Sequence, residues 1–151
     1  MGAKELHTAY KAYLRERRGR EKIGTRLIEG TDSVLAKLKR SGFLLGIVSK
    51  AASGRILKAL QLLHIHEYFG IAEIFGSSRC KAESIARAMK HFRSSAFATI
   101  YVGDRPDDQD AARKAGVAFV AVCTGTYGKR HFPASCAVLP SVRDLPDYLS
   151  L

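Results

Sequence analysis

Residues 99–122, TIYVGDRPDDQDAARKAGVAFVAV, carry in one stretch the pattern on which the fold turns. An apolar run ends at Gly103, four acids (Asp104, Asp107, Asp108 and Asp110) crowd into the next seven positions, and a second apolar run follows Gly116. The pattern predicts a strand, a tight turn at Gly103, a helix over 107–115 closed by Gly116, and a strand over 117–122. Asp107 and Asp108 fall in the first helical turn, where the positive end of the helix dipole tolerates negative charge. Asp104 stands earlier, at the strand end. A chain of net charge +11 with only 14 acids gives no compositional reason for so many to gather in one place. Carboxylates held together against their repulsion are neutralised by a cation, and an oxygen-only set without His or Cys suits Mg²⁺.

The same alternation recurs upstream and downstream. Leu6, Tyr10, Tyr13 and Leu14 lie at helical spacing over residues 3–18. A second helix is announced by Thr31, Asp32 and Ser33, any of which could cap it; it carries Val34, Leu35 and Leu38 inward and ends at Gly42. FLLGIV (43–48) is apolar on both faces, as in a parallel strand covered by helices on each side. Helix 53–62, strand 71–75, helix 82–92 with Ile85, Ala88, Met89 and Phe92 on one face, strand 97–102 and a short helix around 142–149 complete the series. The fold class is α/β with a mainly parallel sheet and right-handed crossovers. Ligands of such sheets bind beyond the carboxyl ends of the strands, which directs attention to Ser49 and Lys50, Gly103 and Asp104, and Thr124 and Gly125.

Composition sets outer bounds. With 151 residues, 46% hydrophobic and 26% charged, the chain has one domain's worth of ordinary globular sequence. Its apolar stretches fall far short of the roughly 20 residues of a membrane helix, and the amino-terminal region has no apolar core like that of a secretion signal, so a cytoplasmic location is expected. Cys80, Cys123 and Cys136 are widely spaced with no CxxC pair, arguing for reduced, mostly buried thiols and against a disulfide framework or zinc site. The 25 basic residues attract polyanions. One cluster, RERRGREK (Arg15, Arg17, Arg18, Arg20, Lys22), could serve nucleic acid, but no recognised nucleic-acid motif accompanies it, and it reads as a solvated helix face. His64 and His66 have no evident third ligand for a metal.

YVGDRPDDQDAARKAG (101–116) resembles the fourth motif of the haloacid dehalogenase-like (HAD) hydrolases, GDxxxD followed by an alanine-rich helix. GIVSK (46–50) is similar to the second motif, with Ser49 at the strand end, and RCKAES (79–84) resembles the third, with Lys81 at a helix start. LLHIHEYFGIAEIFGS (62–77) resembles the stretch before the third strand in phosphoglycolate-phosphatase-like members, and CTGTYG and CAVLPSVRDLPDYL resemble the family's tail. The resemblance spans roughly residues 27–149. It implies a Rossmann-like three-layer αβα sandwich over 29–151, preceded by a helical cap remnant over 1–28, and it implies Mg²⁺-dependent phosphoryl transfer. Asp104 would be a metal ligand and Asp108 would support the metal or its waters. Ser49 would hydrogen-bond a phosphoryl oxygen and Lys81 would neutralise its charge. Ser49, Lys50, Lys81 and Gly103 form the substrate-binding set for a small phosphorylated molecule or inorganic phosphate. The chemistry agrees, since charge on phosphoryl oxygens calls for a cation, a hydroxyl donor and an ammonium converging on it.

One motif departs from the pattern. The family's first motif, an apolar strand followed by DxDx[TV], supplies the nucleophile from the middle of the sheet. Here the only Asp-x-Asp is DQD at 108–110, inside the fourth motif. Lys81 is followed by Ala82 and Gly30 is preceded by Glu29, where Pro is usual in each case. The reading is therefore a truncated core with its central first strand missing, inactive or nearly so alone. The alternatives are a non-catalytic pseudo-phosphatase, a module binding phosphorylated ligands or nucleic acid through the basic N-terminal helix, or a core whose missing strand another polypeptide supplies. The edges of FLLGIV and FATIYV, left without a central strand, are expected to pair with each other or with a neighbouring molecule, as in a homodimer.

Overall fold

The computed structural model describes residues 26–70, 74–76 and 80–151. In chain order, helix α1 (Thr31–Arg40) leads to strand β1 (Ile47–Val48), helix α2 (Ser53–Leu62), strand β2 (Ile74–Phe75), helix α3 (Lys81–Phe92), strand β3 (Ile100–Gly103), helix α4 (Pro106–Ala115), strands β4 (Ala118–Val122) and β5 (Ala137–Leu139), and short helix α5 (Leu145–Tyr148). The helix expected over 3–18, the arginine cluster and all but the last three residues of the 1–28 segment lie outside the described residues. No helix among the described residues is long and apolar enough to cross a membrane.

The β3–α4–β4 unit takes the form its sequence dictates. Pro106 begins α4, where its missing N–H costs nothing, and Asp107 and Asp108 occupy the first turn while Arg113 and Lys114 occupy the last. Gly116, at φ 74°, closes the helix, and the Val117 N–H returns to the Ala112 carbonyl at 3.1 Å. β3 and β4 pair in parallel with Tyr101 opposite Phe119 and Val102 opposite Val120. Alternation along the strands then sends the two pairs to opposite faces. Val102 and Val120 pack with Val34 and Leu38 of α1 and Leu145 of α5. Tyr101 and Phe119 pack with Ile85 of α3 and Ala111 and Ala112 of α4. A third cluster joins Leu60 of α2 to Ile74 of β2 and Ile47 of β1. Helices thus cover parallel strands on two sides.

The sheet is divided. Among the described residues β1 pairs only with β2, and β3 with β4 and then β5, every pair parallel. The expected direct pairing of β1 with β3 is not made, and a groove lies between them. Leu44, expected to be covered, is 63% exposed because it faces that groove.

Other elements differ locally from expectation. None of Thr31, Asp32 or Ser33 caps α1; Gly30, at φ 78°, begins it, and its carbonyl accepts from the Val34 N–H at 3.1 Å. Strand 97–102 starts late, because residues 96–98 form a 3₁₀ turn that leaves Phe97 fully exposed. The Thr99 hydroxyl donates to the Ser95 carbonyl at 2.7 Å and bonds the Ser94 hydroxyl at 3.0 Å, a local arrangement that competes with the strand. The last helix is split into a 3₁₀ turn over 142–144 and α5. β5 was not foreseen: its three residues are too short to show a period, and pairing with β4 makes them a strand. Cys80, Cys123 and Cys136 form no disulfide with one another and are half-buried rather than buried.

Val120, 1% exposed, is the largest apolar side chain fully buried among the described residues. Val120→Ala should lower unfolding stability by about 2 kcal/mol through lost burial and an unfilled cavity, measured by urea denaturation. Phe97→Ala should leave the midpoint unchanged.

Candidate functional site

Beyond the carboxyl ends of β1 and β3 opens a cavity of about 520 Å³. All six sequence-predicted residues, Ser49, Lys50, Lys81, Gly103, Asp104 and Asp108, line it. Three separate segments bring them there: the turn after β1, the first turn of α3, and the β3–α4 turn.

Ser49 extends the β1–β2 ladder by donating its N–H to the Phe75 carbonyl at 3.3 Å. Its hydroxyl oxygen accepts from the Ala51 N–H at 3.1 Å, a local turn that bends the chain off the sheet toward α2. The hydroxyl hydrogen can then be donated to a ligand. Lys81 is the first residue of α3, and its side chain is 13% exposed. Its ammonium makes a short ion-paired hydrogen bond to Asp108 Oδ1 and lies 3.6 Å from Asp107 Oδ2.

Asp108 is buried at 4% exposure and also accepts from the Tyr101 hydroxyl at 3.1 Å. Burial, then the charge of Asp108 and the hydrogen bond to it, push the Tyr101 phenol well above its ordinary range, so it stays a donor. Gly103 makes this approach possible, since a Cβ there would stand 2.7 Å from Asp108 Cβ. Gly125, from the loop after β4, does the same for Asp104: a Cβ there would stand 2.0 Å from Asp104 Oδ2.

Asp107, Tyr101 and Arg105 complete the site and were not among the predicted residues. Asp107 is a hub for three cations: Arg105 Nε at 2.8 Å, Lys50 Nζ at 3.4 Å and Lys81 Nζ at 3.6 Å. The hydrogen bond from Arg105, opposed by burial and helped by Lys81, holds the Asp107 carboxyl down at about 2. The Arg105 guanidinium also lies 5.5 Å from the centroid of the Tyr127 ring, tying the loop after β4 to the mouth of the cavity. The four-acid crowding had signalled Asp107 as part of a group. Nothing in sequence spacing pairs it with Lys50, 57 positions away, and Tyr101 reads in sequence only as a strand residue.

The lining balances three cations (Lys50, Lys81, Arg105) against three carboxylates (Asp104, Asp107, Asp108). Asp107 and Asp108 are committed to cationic partners, so among the described residues Asp104 is the carboxylate of the cavity without an ion pair. Among the described residues no three His, Cys, Asp or Glu side chains converge as a metal cage.

Comparison with known proteins agrees with this architecture. Residues 1–122 match the family model described as haloacid dehalogenase-like hydrolase. The chain is 27% identical over 110 residues to phosphoglycolate phosphatase of Synechococcus elongatus, covering 73% of this chain and 52% of that protein. The chain spans 37–52% of the length of the curated relatives it matches. A haloacid dehalogenase-like family hydrolase of Streptococcus pneumoniae superposes with a TM-score of 0.74 at 20% identity, over 99% of this chain and 72% of that one. The HAD-hydrolase YfnB of Bacillus subtilis, bound to magnesium, superposes at 0.67 and 20% identity, over 83% of this chain and 57% of that one.

The Asp107 carboxyl should titrate near 2 in a carbon-detected NMR titration, below its ordinary 3.8. Because the folded value is depressed, Asp107 supports the fold above its ordinary value, and that support is lost as pH falls toward 2. Arg105→Ala should move the midpoint back toward 3.8.

Proposed function

The chain belongs to the haloacid dehalogenase-like hydrolases, and on that premise we propose that the cavity beyond β1 and β3 is the phosphate- and Mg²⁺-binding half of a phosphoryl-transfer site. It would serve a small phosphorylated molecule, and the described residues would be inactive or nearly so by themselves. One observation carries the reading: Ser49, Lys81 and Asp104, from three segments far apart in sequence, line the same hollow.

Each side chain has a distinct task. The Lys81 ammonium, aimed by Asp108 and kept largely from water, neutralises phosphoryl oxygens. Ser49 donates its hydroxyl hydrogen to one of those oxygens. Lys50, 59% exposed at the rim, draws the anion in. Tyr101 and Asp108 act as positioning residues, through Lys81 rather than on the substrate.

The donor set fits Mg²⁺, which is content with one or two carboxylates and retains several waters. Asp104 would hold it directly, the Gly125 backbone leaving room for its carboxylate. Asp108, committed to Lys81 and Tyr101, would support from behind. When bound, the ion supplies charge neutralisation at the phosphoryl oxygens. It also tips the balanced lining to net positive, so phosphate affinity should depend on Mg²⁺.

Covalent phosphoryl transfer needs one more carboxylate, free to attack phosphorus. Asp107 and Asp108 are held by cations and Asp104 would be taken by the metal, so none of the three is left for that step. Loss of a nucleophile costs on the order of 10⁶ in rate.

With 10 mM Mg²⁺ and an aryl phosphate, turnover should not exceed that of an Asp104→Asn control; robust turnover abolished in the control would overturn the claim of inactivity. By calorimetry, inorganic phosphate should bind at least tenfold more tightly with Mg²⁺ than without it. Asp104→Asn should remove that enhancement, Gly125→Ala should weaken it by displacing the carboxylate, and Lys81→Ala should weaken phosphate under both conditions.

A further inference from the structure

Asp107 occupies a place that the proposed function reserves for a ligand. Its Oδ2 lies 3.4 Å from Lys50 Nζ and 3.6 Å from Lys81 Nζ, so one carboxylate oxygen is shared by two ammoniums of the cavity. Its Oδ1 is held from elsewhere, accepting from Arg105 Nε at 2.8 Å. The two grips differ in quality. A charge-assisted N–H···O bond is strongest near 2.8 Å, and both contacts to the lysines are well beyond that length. Asp107 also has room to turn, with 42% of its side chain exposed against 5% for its neighbour Asp108.

Two tasks would explain a carboxylate in this position. It could hold the lysines ready for an anion, or it could hold them in place of an anion. Lys81 has no need of the first service, because Asp108, more deeply buried and in closer contact, already fixes its ammonium, with Tyr101 behind. Lys50 is 59% exposed on a long flexible stem, and one contact at 3.4 Å orders it little.

We propose that Asp107 is a resident competitor, an internal anion seated where a phosphoryl oxygen of the ligand goes. On entry of the ligand, Asp107 Oδ2 leaves Lys50 and Lys81 while the carboxylate stays on Arg105, so that it keeps a cationic partner in the first turn of α4 throughout. The exchange trades one set of ion pairs for another and leaves no charge uncompensated. Its cost falls on every incoming anion alike. An anion that meets only the rim lysine gains too little to displace Asp107, whereas a phosphate that also meets Lys81, Ser49 and a cation at Asp104 gains more. Asp107 thereby determines specificity for the phosphate site, an inference that rests on the phosphate-binding reading of the cavity.

The sign of one substitution separates a competitor from a residue that merely positions the lysines. By calorimetry at neutral pH and fixed ionic strength, inorganic phosphate should bind Asp107→Asn at least fivefold more tightly than the unaltered chain, with Mg²⁺ and without it. Asp107→Ser should do the same, which sets aside any contact made by the asparagine amide. Asp110→Asn removes an equal charge from the same helix, at a side chain 65% exposed and paired with Arg113, and should change affinity less than twofold. Arg105→Ala should weaken phosphate at least threefold in the unaltered chain, where the displaced carboxylate loses its refuge, and less than twofold in the Asp107→Asn chain. Unchanged or weaker binding in both Asp107 variants would overturn the proposal while leaving the phosphate reading in place, as would an equal gain in Asp110→Asn or equal losses from Arg105→Ala in the two backgrounds. Should neither the unaltered chain nor any Asp107 variant bind phosphate, the proposal falls together with the reading beneath it.

Discussion

The ion pair between Lys81 and Asp108 is the contact from which the rest of the site is built. It joins the first turn of α3 to the first turn of α4, and Tyr101 fastens it to β3 from below. Both side chains are withdrawn from water, at 13% and 5% exposure. In such surroundings a pair adds little net stability over an apolar substitute, but either partner left alone is a buried, uncompensated charge. That asymmetry makes the pair a device for position. Lys81 cannot swing away from Asp108 cheaply, so its ammonium stays at the carboxyl edge of the strands, and the absence of a side chain at Gly103 is what allows Asp108 to come so close.

Around this fixed point the charges are arranged in tiers of exposure. Asp108 is enclosed, Asp107 is 42% exposed and gathers three cations, and Lys50 and Arg105 reach into solvent. The inner pair, poorly screened, sets geometry; the outer pairs, well screened, set the field seen by an approaching anion. Asp104, outside these ion pairs, is the carboxylate whose charge remains available to a cation. A neutral lining that becomes positive when a divalent ion enters links metal and phosphate in one site.

The divided sheet is the second organising feature. Each half has its own hydrophobic support: β1 and β2 rest on α2, while β3, β4 and β5 lie between α1 with α5 and α3 with α4. α3 contributes to both, touching Val48 on one side and Tyr101 on the other through the cluster around Ile85. The two halves are thus held at a distance set by helices rather than by strand hydrogen bonds, and the apolar groove between them opens directly onto the charged cavity.

What the sequence by itself determined was local and repetitive. The α4 helix, its proline start, its acidic first turn and its glycine stop were legible because each depends on residues within a few positions of one another. The α/β class followed from alternation of period, Ser49 and Asp104 stood out because strand ends are themselves readable, and Lys81 stood out through its resemblance to the family's third motif. Asp107 as a hub, Tyr101 beneath Asp108, the three-residue β5 and the exposure of Leu44 were decided only in the tertiary structure. Each depends on a partner tens of positions away, or on the lack of one at a strand edge. A side chain's own chemistry sets which contacts it can make, but only the packed arrangement of helices and strands settles which of them it does make.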